Sequence, residues 1–242
     1  MPAETDMTKN RPTPPKFPPW IRQSWPQSGA VDEVRDLLRE LGLNTVCRSA
    51  QCPNQGECWS HRTATFMILG EVCSRNCAFC GVGTGTPAAP DEGEPARVAE
   101  AIARLGLRHS VITSVTRDDL PDGGAGQFAA VIQAIRGRCP GVTIEVLTPD
   151  FRGQEMPLAK VVHERPDVFN HNVETVPRLY PKARRGSKFM RSARVLRLPK
   201  EMGGEDVVTK SGLMVGLGET FEEMVDTFGI LREHKVQVLT VG

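Results

Sequence analysis

The sequence predicts an α/β fold, a partial barrel of six parallel strands preceded by an N-terminal extension that carries cysteines. From residue 64 onward, apolar segments of strand length alternate with apolar segments of helical period, and every strand but the last is followed by a helical connection. This alternation is typical of a parallel sheet with right-handed crossovers. An open doubly wound sheet and a barrel both fit the alternation, and the positions of the polar residues favour the barrel.

The predicted strands are short runs rich in aliphatic and β-branched residues. They are Ala64–Leu69, Ser110–Val115, Val142–Leu147, Asp167–Asn170, Val207–Val215 and Val236–Val241. The predicted helices carry apolar residues three and four positions apart. They are Val31–Leu41, Pro95–Leu105, Gly126–Arg136, Pro157–Glu164, Lys188–Lys200 and a last helix after Thr220.

The last helix has the clearest start signal, because Thr220 and Glu223 have the spacing of a capping box. The apolar residues expected to face inward from this helix are Met224, Val225, Phe228 and Leu231.

Polar and reactive residues lie at the carboxyl ends of successive predicted strands or, for Lys210–Gly212, within the strand itself. In parallel barrels these ends meet at one rim, where the functional groups lie. The groups are Cys73–Cys80, Thr113–Ser114 with Arg117–Asp119, Pro149–Asp150, Asn170–Glu174 and Lys210–Gly212. The rim is therefore the predicted site, although an exposed charged loop is the alternative for Arg117 and Asp118.

Three segments are expected along the chain. Residues 1–19 are polar and then dense in proline, which predicts a disordered or extended arm. Residues 20–62 form the cysteine-bearing extension, in which Trp20 and Trp25 are expected to pin the arm to the domain. Residues 63–242 form the barrel.

Charge and hydropathy exclude several classes of protein. The 242 residues carry 30 Lys and Arg against 29 Asp and Glu, a balance that predicts no nucleic-acid binding and no membrane-surface binding. No run of 18 apolar residues predicts a membrane-spanning helix. The N-terminus lacks the apolar region of a signal peptide, and Glu4 and Asp6 fit a transit peptide poorly. We therefore expect a cytoplasmic protein.

Six of the seven cysteines lie within residues 47–80, and disulfides are not expected in a reducing compartment. They form two triplets, Cys47, Cys52 and Cys58 at spacing C-x4-C-x5-C, and Cys73, Cys77 and Cys80 at spacing C-x3-C-x2-C. The first triplet is expected in a loop, because Pro53, Asn54 and Gly56 interrupt it.

Thiolate sulfur selects zinc, copper(I) or iron–sulfur clusters. A structural zinc site has four ligands, so a triplet leaves one position for something else. The alternative is two structural zinc sites, with His61 and another residue as fourth ligands.

The second triplet, with the aromatic Phe79 before its last cysteine, resembles the signature of the radical S-adenosylmethionine (SAM) superfamily. Within it, the two triplets together resemble the lipoyl synthases. The resemblance extends to three longer strings, Thr113–Ala125, Phe169–Val176 and Thr209–Thr220, and covers about residues 20–242. It also implies a partial six-stranded barrel.

The resemblance implies two [4Fe–4S] clusters. Cys73, Cys77 and Cys80 would hold one, whose open iron binds SAM, and Cys47, Cys52 and Cys58 would hold an auxiliary cluster that donates sulfur. The implied reaction inserts sulfur at C6 and C8 of an octanoyl chain on a lysine of a carrier protein. The implied partners are that octanoylated carrier and a low-potential electron donor. Another radical SAM enzyme and a non-catalytic metal-binding module remain open.

The resemblance also implies contacts with SAM. Ser114 is expected to meet the methionyl amine, Lys210 the carboxylate, and Asn172 and Glu174 the ribose or amino acid part. The stretch Gly212–Glu219, which begins within strand five, resembles the glycine motif that backs the adenine. The contacts expected from it are Gly212, Met214 and Gly216, and Phe79 is a further expected contact with SAM. No catalytic side chain is assigned beyond these ligands. A solvated turn is the alternative for Asn172 and Glu174, and a strand-end charge for Lys210.

Two further features bear on partners. The basic run from Lys182 to Arg197 is either a solvated helix face or a docking surface for an acidic carrier domain. Lipoyl synthases carry a C-terminal segment with an Arg-Ser-Ser-type motif whose serine ligates the auxiliary cluster. The sequence ends at Gly242 and the pair Arg191-Ser192 lies in the wrong place, so we expect a fragment or a fourth ligand from elsewhere.

Overall fold

The computed structural model of the chain describes residues 29–49, 52, 54–61, 64–203 and 206–242. The arm predicted for residues 1–19 and the pinning role of Trp20 and Trp25 lie outside the described residues.

Helices and strands alternate through most of the chain. The helices are α1 (Ala30–Glu40), α2 (Val46–Ser49), α3 (Gln55–Ser60), α4 (Glu94–Leu105), α5 (Ala125–Arg138), α6 (Glu155–His163), α7 (Tyr180–Ala183), α8 (Phe189–Gly203) and α9 (Phe221–Glu233). The strands are β1 (Asn44–Thr45), β2 (Thr65–Ile68), β3 (Val72–Cys73), β4 (Gly83–Thr84), β5 (His109–Ser114), β6 (Thr143–Leu147), β7 (Val168–Asn170), β8 (Val208–Leu213) and β9 (Val238–Val241).

Seven strands form the main sheet, in the order β1-β2-β5-β6-β7-β8-β9. All neighbours from β2 to β9 are parallel, which confirms the predicted α/β fold with six parallel strands. The two-residue strand β1 adds to one edge in the antiparallel direction, and β3 and β4 form a separate parallel pair. Neither β1 nor the β3–β4 pair was predicted, because two-residue strands have no period that a sequence can show.

The two faces of the sheet differ in chemistry, since side chains alternate between them along each strand. One row across the register consists of Phe66, Ile112, Val146 and Phe169, all nearly inaccessible to solvent. These side chains belong to one core together with Val98, Ile102, Phe128 and Ile132 of α4 and α5. The next row, on the opposite face, is Met67, Thr113, Leu147, Asn170 and Lys210. The amide of Asn170 and the ammonium group of Lys210 therefore lie on the face away from the helices.

The segment with the first cysteine triplet differs from the prediction. A loop was expected, but Cys47 lies in α2 and Cys58 lies in α3. The indole of Trp59 is fully buried in the main core, and this burial supports the short helix α3 against the interrupting residues around it.

Helix α9 begins with the predicted capping box, in which Glu223 N–H donates to Thr220 Oγ1 and the Glu223 carboxylate accepts from Thr220 N–H. The predicted inward face is wrong in part. Met224 and Leu231 are buried, but Val225 and Phe228 remain 49% and 37% exposed. Within the described chain, only a narrow stripe of α9 has a neighbour to pack against. Among the described helices, none combines the length and apolar character that crossing a bilayer requires.

We expect Gly124→Ala to destabilise the fold. Gly124 has φ 89°, and an added Cβ would lie 2.3 Å from Cδ1 of Leu69. Left-handed strain and overpacking together cost roughly 1–3 kcal/mol. The control is Gly137→Ala in the same helix, where an added Cβ meets nothing within 4 Å and should stabilise the helix. Urea unfolding of the two variants measures the difference, and equal stabilities would contradict this packing.

Candidate functional site

The cysteine loop, residues Cys73–Cys80, is introduced by a strained strand end. Leu69 follows β2 with φ 69°, a left-handed conformation that is costly for a residue other than glycine. Its N–H donates to both carboxylate oxygens of Glu94, at 3.2 and 3.0 Å, and its carbonyl accepts from Arg117 Nη1 at 3.3 Å. These bonds hold the peptide from both sides, so the chain leaves the sheet in a defined direction.

Backbone hydrogen bonds shape the cysteine loop itself. Cys73 Sγ accepts from the backbone N–H of Arg75 at 3.4 Å and of Thr116 at 3.3 Å. Ala78 N–H donates to the carbonyl of Ala183 in α7 at 2.9 Å. N–H donors directed at a sulfur atom stabilise the thiolate, which is the form that binds metal.

The three thiols of this loop lie within electrostatic reach of one another. Burial raises the pKa of the Cys77 thiol, Cys80 and Cys73 act in the same direction, and the positive charge of Arg184 opposes them. The Cys80 side is open to solvent. In the part of the chain that the structure describes, no three His, Cys, Asp or Glu side chains already form an ion site, so the ligand role of the cysteines stays a prediction.

The first triplet is gathered in the same way. Cys52 N–H donates to the carbonyl of Cys47 at 3.0 Å, which closes the turn between them. Burial raises the pKa of the Cys58 thiol, and Cys47 and Cys52 raise it further. Within each triplet the thiols therefore interact electrostatically, through Cys58 in the first triplet and through Cys77 in the second.

The segments that carry the two triplets lie toward opposite ends of β2. Strand β1 pairs with β2 in the antiparallel direction, with Thr45 opposite Phe66, so the chain runs toward the amino end of β2 when it enters α2 and Cys47. The loop that starts at Cys73 instead follows the carboxyl end of β2. The polar face of the sheet extends between these ends.

The structure shows the surroundings of several predicted SAM contacts. The Oγ of Ser114 is buried and has no hydrogen-bond partner among the described residues. Asn172 donates to the carboxylate of Glu174, whose pKa is raised by burial. An added Cβ on Gly212 would lie 2.6 Å from Asn172 Oδ1, so only glycine fits beside this side chain. The backbone of Glu174 also accepts from Met214 N–H at 2.9 Å, which ties the two predicted segments together.

Phe79 and the glycine turn after β8 face a common cavity of about 220 Å³. Its lining residues are Ala78, Phe79, Leu179, Lys182, Ala183 and Leu217. Gly216 and Gly218 adopt left-handed conformations with φ 93° and 106°, and Glu219 accepts from the N–H groups of Gly216 and Leu217. The structure therefore brings together the aromatic residue and the turn that the sequence placed at one ligand.

Lys210 has a partner that the sequence did not predict. Its Nζ lies 2.9 and 3.1 Å from the two carboxylate oxygens of Glu145 on β6, across β7 from Lys210 on β8. Asn170 Nδ2 donates to the same carboxylate at 2.9 Å. Because Glu145 already neutralises Lys210, binding an anionic ligand would require Lys210 to exchange partners.

The charged residues near the rim are more ordered than the alternatives from the sequence suggested. The side chain of Arg117 is almost completely buried and pairs with Asp119 at 2.8 Å, so an exposed charged loop is the wrong description. Within the basic run, Arg184 is also buried and donates to the carbonyl of Asn172 at 2.5 Å. Arg185 and Lys188 are exposed and remain available to a partner.

The contact of Arg75 with two carboxylates of the rim could not be found from the sequence. Arg75, inside the cysteine triplet, forms ion pairs with Asp118 and Asp150, which follow the next two strands of the sheet. The sequence placed Asp118 and Asp150 at strand ends and suggested that Asp118 helps to order the mouth of the site, but it gave them no partner. The contacts join residues 43 and 75 positions apart, and no local pattern announces them.

The residues present fit a thiolate-bound cluster with a polar organic ligand. Two arginines, Arg75 and Arg184, place positive charge near the thiols. Such charge favours thiolates and anionic clusters. The unpartnered hydroxyl of Ser114 and the glycine cradle beside Asn172 offer polar contacts and close backbone approach to a ligand.

Comparison with known proteins agrees with this chemistry. The model of the radical SAM superfamily matches residues 67–231. A curated lipoyl synthase from Rubrobacter xylanophilus (strain DSM 9941 / JCM 11954 / NBRC 16129 / PRD-1) is 56% identical over 225 residues. That match covers 93% of this chain and 70% of the relative.

Solved structures agree in fold alone. Methylornithine synthase superposes with a TM-score of 0.56 at 15% identity, over 88% of this chain and 66% of that one. The Streptococcus suis protein SuiB, bound to S-adenosylmethionine, superposes with a TM-score of 0.53 at 12% identity, over 78% of this chain and 42% of that one.

His171, directly after β7, generates a prediction about pH. Its Nδ1 lies 2.8 Å from the carbonyl of Thr148, and burial, with Arg184 acting in the same direction, lowers its pKa to about 3. Below pH ~6.5 the unfolded chain takes up a proton that the folded chain refuses until about pH 3. We expect the free energy of unfolding to fall across this window by up to about 1.4 kcal/mol per pH unit from this group.

Urea unfolding at a series of pH values checks this. His171→Gln should flatten the acid limb, because glutamine takes up no proton in either state. The control is His163→Gln, which removes an exposed imidazole from α6 and should keep the wild-type pH profile. An acid limb that is equally steep in His171→Gln would show that other groups produce it.

Proposed function

The chain belongs to the radical SAM superfamily and, within it, to the lipoyl synthases, a family of sulfur-inserting enzymes, and we propose that it inserts sulfur at C6 and C8 of a protein-bound octanoyl chain. The observation that carries this proposal is the second cysteine triplet, in which Cys73 and Cys80 act electrostatically on the Cys77 thiol and two N–H groups are directed at Cys73 Sγ. The chain spans 70% of the length of its curated relative.

Cys73, Cys77 and Cys80 would hold the first [4Fe–4S] cluster and leave one iron for SAM. When bound, this pair supplies an organic radical that removes hydrogen from an unactivated methylene, which no side chain could do by acid–base chemistry. The protein's task is to position the ligands and exclude water. Arg75 and Arg184 balance the negative charge of the thiolates.

Residues at the rim would orient SAM. The free hydroxyl of Ser114 can accept from its amine, and Asn172 and Glu174 offer a carbonyl oxygen and a carboxylate to the amine or the ribose. The cavity between Phe79 and the Gly216 turn has the apolar wall that an adenine ring requires. Lys210 would bind the SAM carboxylate after its ammonium group leaves Glu145.

Cys47, Cys52 and Cys58 would hold the auxiliary cluster that donates sulfur. The segments that carry the two triplets lie toward opposite ends of β2. An octanoyl chain on the polar face of the sheet would therefore lie between the cluster that binds SAM and the cluster that donates sulfur. We propose as partners an octanoylated lipoyl-carrier protein and a low-potential electron donor. Seven free thiols suit a reducing compartment, and we propose the cytoplasm.

Anaerobic reconstitution tests the assignment of the two triplets. We expect about eight irons per chain, the content of two [4Fe–4S] clusters. Replacing Cys73, Cys77 and Cys80 by alanine should abolish cleavage of SAM to 5′-deoxyadenosine. Replacing Cys47, Cys52 and Cys58 should retain that cleavage but eliminate sulfur insertion into an octanoylated peptide. Iron content, chromatography of the nucleoside and mass spectrometry of the peptide give the three readouts.

The other outcomes decide between functions. Stoichiometric zinc without iron would remove the radical chemistry and favour a metal-binding module. Deoxyadenosine without any thiolated peptide from the unaltered chain would favour a radical SAM enzyme that acts on another substrate.

The exposed part of the basic run generates a prediction about the carrier. Replacing Arg185 and Lys188 by Glu should raise KM for an acidic octanoylated carrier about tenfold while kcat changes little. Charges at the edge of a protein–protein interface act mainly on the association rate. The control reverses Arg35 and Arg39 on α1, which are also exposed. An unchanged KM in the first variant would show that this surface is only solvated.

A further inference from the structure

We propose that Arg75 is a positioning residue for the cysteine loop. Its guanidinium bridges Asp118 and Asp150, and this bridge holds the segment from Cys73 to Cys77 in the conformation that receives the cluster. The inference rests on the proposed function only for the identity of the bound group. The bridge itself is a property of the chain without metal.

The geometry of the bridge is that of two strong ion pairs. Arg75 Nε lies 2.6 Å from Asp118 Oδ2, and Nη2 lies 2.9 Å from Asp118 Oδ1 and 2.8 Å from Asp150 Oδ1. The Arg75 side chain is only 7% exposed and that of Asp150 is fully buried. Buried, charge-assisted and partly bidentate contacts are the strongest that an arginine makes. They also have a large cost when one partner is removed.

Asp150 is itself held in place by residues beyond the cysteine loop. Its second oxygen, Oδ2, accepts from Ser187 Oγ at 2.7 Å and from Arg191 Nε at 2.8 Å. Burial alone would raise the pKa of Asp150, but the hydrogen bond and charge of Arg75 keep it below its usual range. The carboxylate therefore stays ionised and fixed when it meets Arg75.

The backbone after Asp150 supplies an independent observation. Phe151, Arg152 and Gly153 follow one another with φ 43°, 55° and 77°. Two consecutive non-glycine residues in this region store strain, and such strain clusters where a structure must hold a functional geometry. Asp150 Oδ1 accepts from Arg152 N–H at 3.1 Å. The strained turn is therefore hydrogen-bonded to the same carboxylate that binds Arg75.

The position of Arg75 in the loop explains why the bridge matters. Ser74 anchors the start of the loop through Thr116, with N–H to carbonyl at 3.0 Å, and Ala78 anchors its end through Ala183 at 2.9 Å. Arg75 lies between these anchors, and its own N–H donates to Cys73 Sγ at 3.4 Å. A shift of the guanidinium would therefore move the N–H that faces the sulfur.

Backbone hydrogen exchange of the 242-residue chain without metal tests the proposal. In Arg75→Met, we expect amides of residues 71–81 to exchange about tenfold faster by local opening, while residues 125–138 of α5 stay unchanged. Arg75→Lys should give only partial protection, because an ammonium group cannot reproduce the planar bridge. The matched control is Arg104→Met on α4. It breaks a bidentate but exposed pair with Glu40 of α1 and should leave the loop unchanged.

A second readout separates charge from geometry. In reconstituted protein, Arg75→Met should shift the midpoint potential of the cluster that binds SAM to more negative values, because a positive charge is lost. Arg75→Lys should restore the potential but not the slow exchange. Electron paramagnetic resonance during a redox titration measures this shift.

Three results would overturn the proposal. They are wild-type exchange of residues 71–81 in Arg75→Met, an equal rise in α5 that marks general unfolding, and full protection by Arg75→Lys. If Arg75→Met yields no folded protein, Asp150→Asn decides, because it keeps the shape but weakens half of the bridge. Faster exchange confined to the loop supports the proposal, and unchanged exchange ends it. Failure to bind iron would instead contradict the proposed function and leave the exchange result standing.

Discussion

The left-handed peptide of Leu69 is the constraint on which the rest of the site depends. A parallel strand ends there, and the chain must turn sharply before the cysteines begin. Glu94 holds the N–H and Arg117 holds the carbonyl, and both belong to segments that follow later in the chain. Gly124 is compelled by the same constraint, because the Leu69 side chain occupies the space that a Cβ would need. The barrel therefore positions its reactive loop through contacts that only the complete sheet brings together.

Three cationic side chains of the rim are balanced by neighbouring carboxylates. Arg117 pairs with Asp119, Arg75 with Asp118 and Asp150, and Lys210 with Glu145. Each group would be very costly to bury alone, so the pairs specify one arrangement of the strand ends more than they add stability. The same arrangement leaves the hydroxyl of Ser114 without a partner in the described chain, and it is such a group that a ligand can satisfy.

Much of this architecture follows from local patterns in the sequence. Helical and strand periods predicted α4 and β6 to within one or two residues, because the buried stripe of each faces a single large core. The triplet spacing indicated thiolate chemistry without any structure. The pairing of Lys210 with Glu145 and of Arg75 with Asp150 could not be predicted, since register and chain crossing decide which distant residues meet. Phe228 shows the opposite limit, because its helical period is correct while its side chain stays 37% exposed.

Strand β9 carries a consequence for the extent of the sheet. It pairs with β8 on one side, and no described strand pairs with its other side. Val238 and Val241 on this strand are 41% and 48% exposed. An open edge with apolar flanks is a template on which another chain can add a strand. Among the described residues, this edge is therefore the place where a further strand can extend the sheet, at the side opposite to β1.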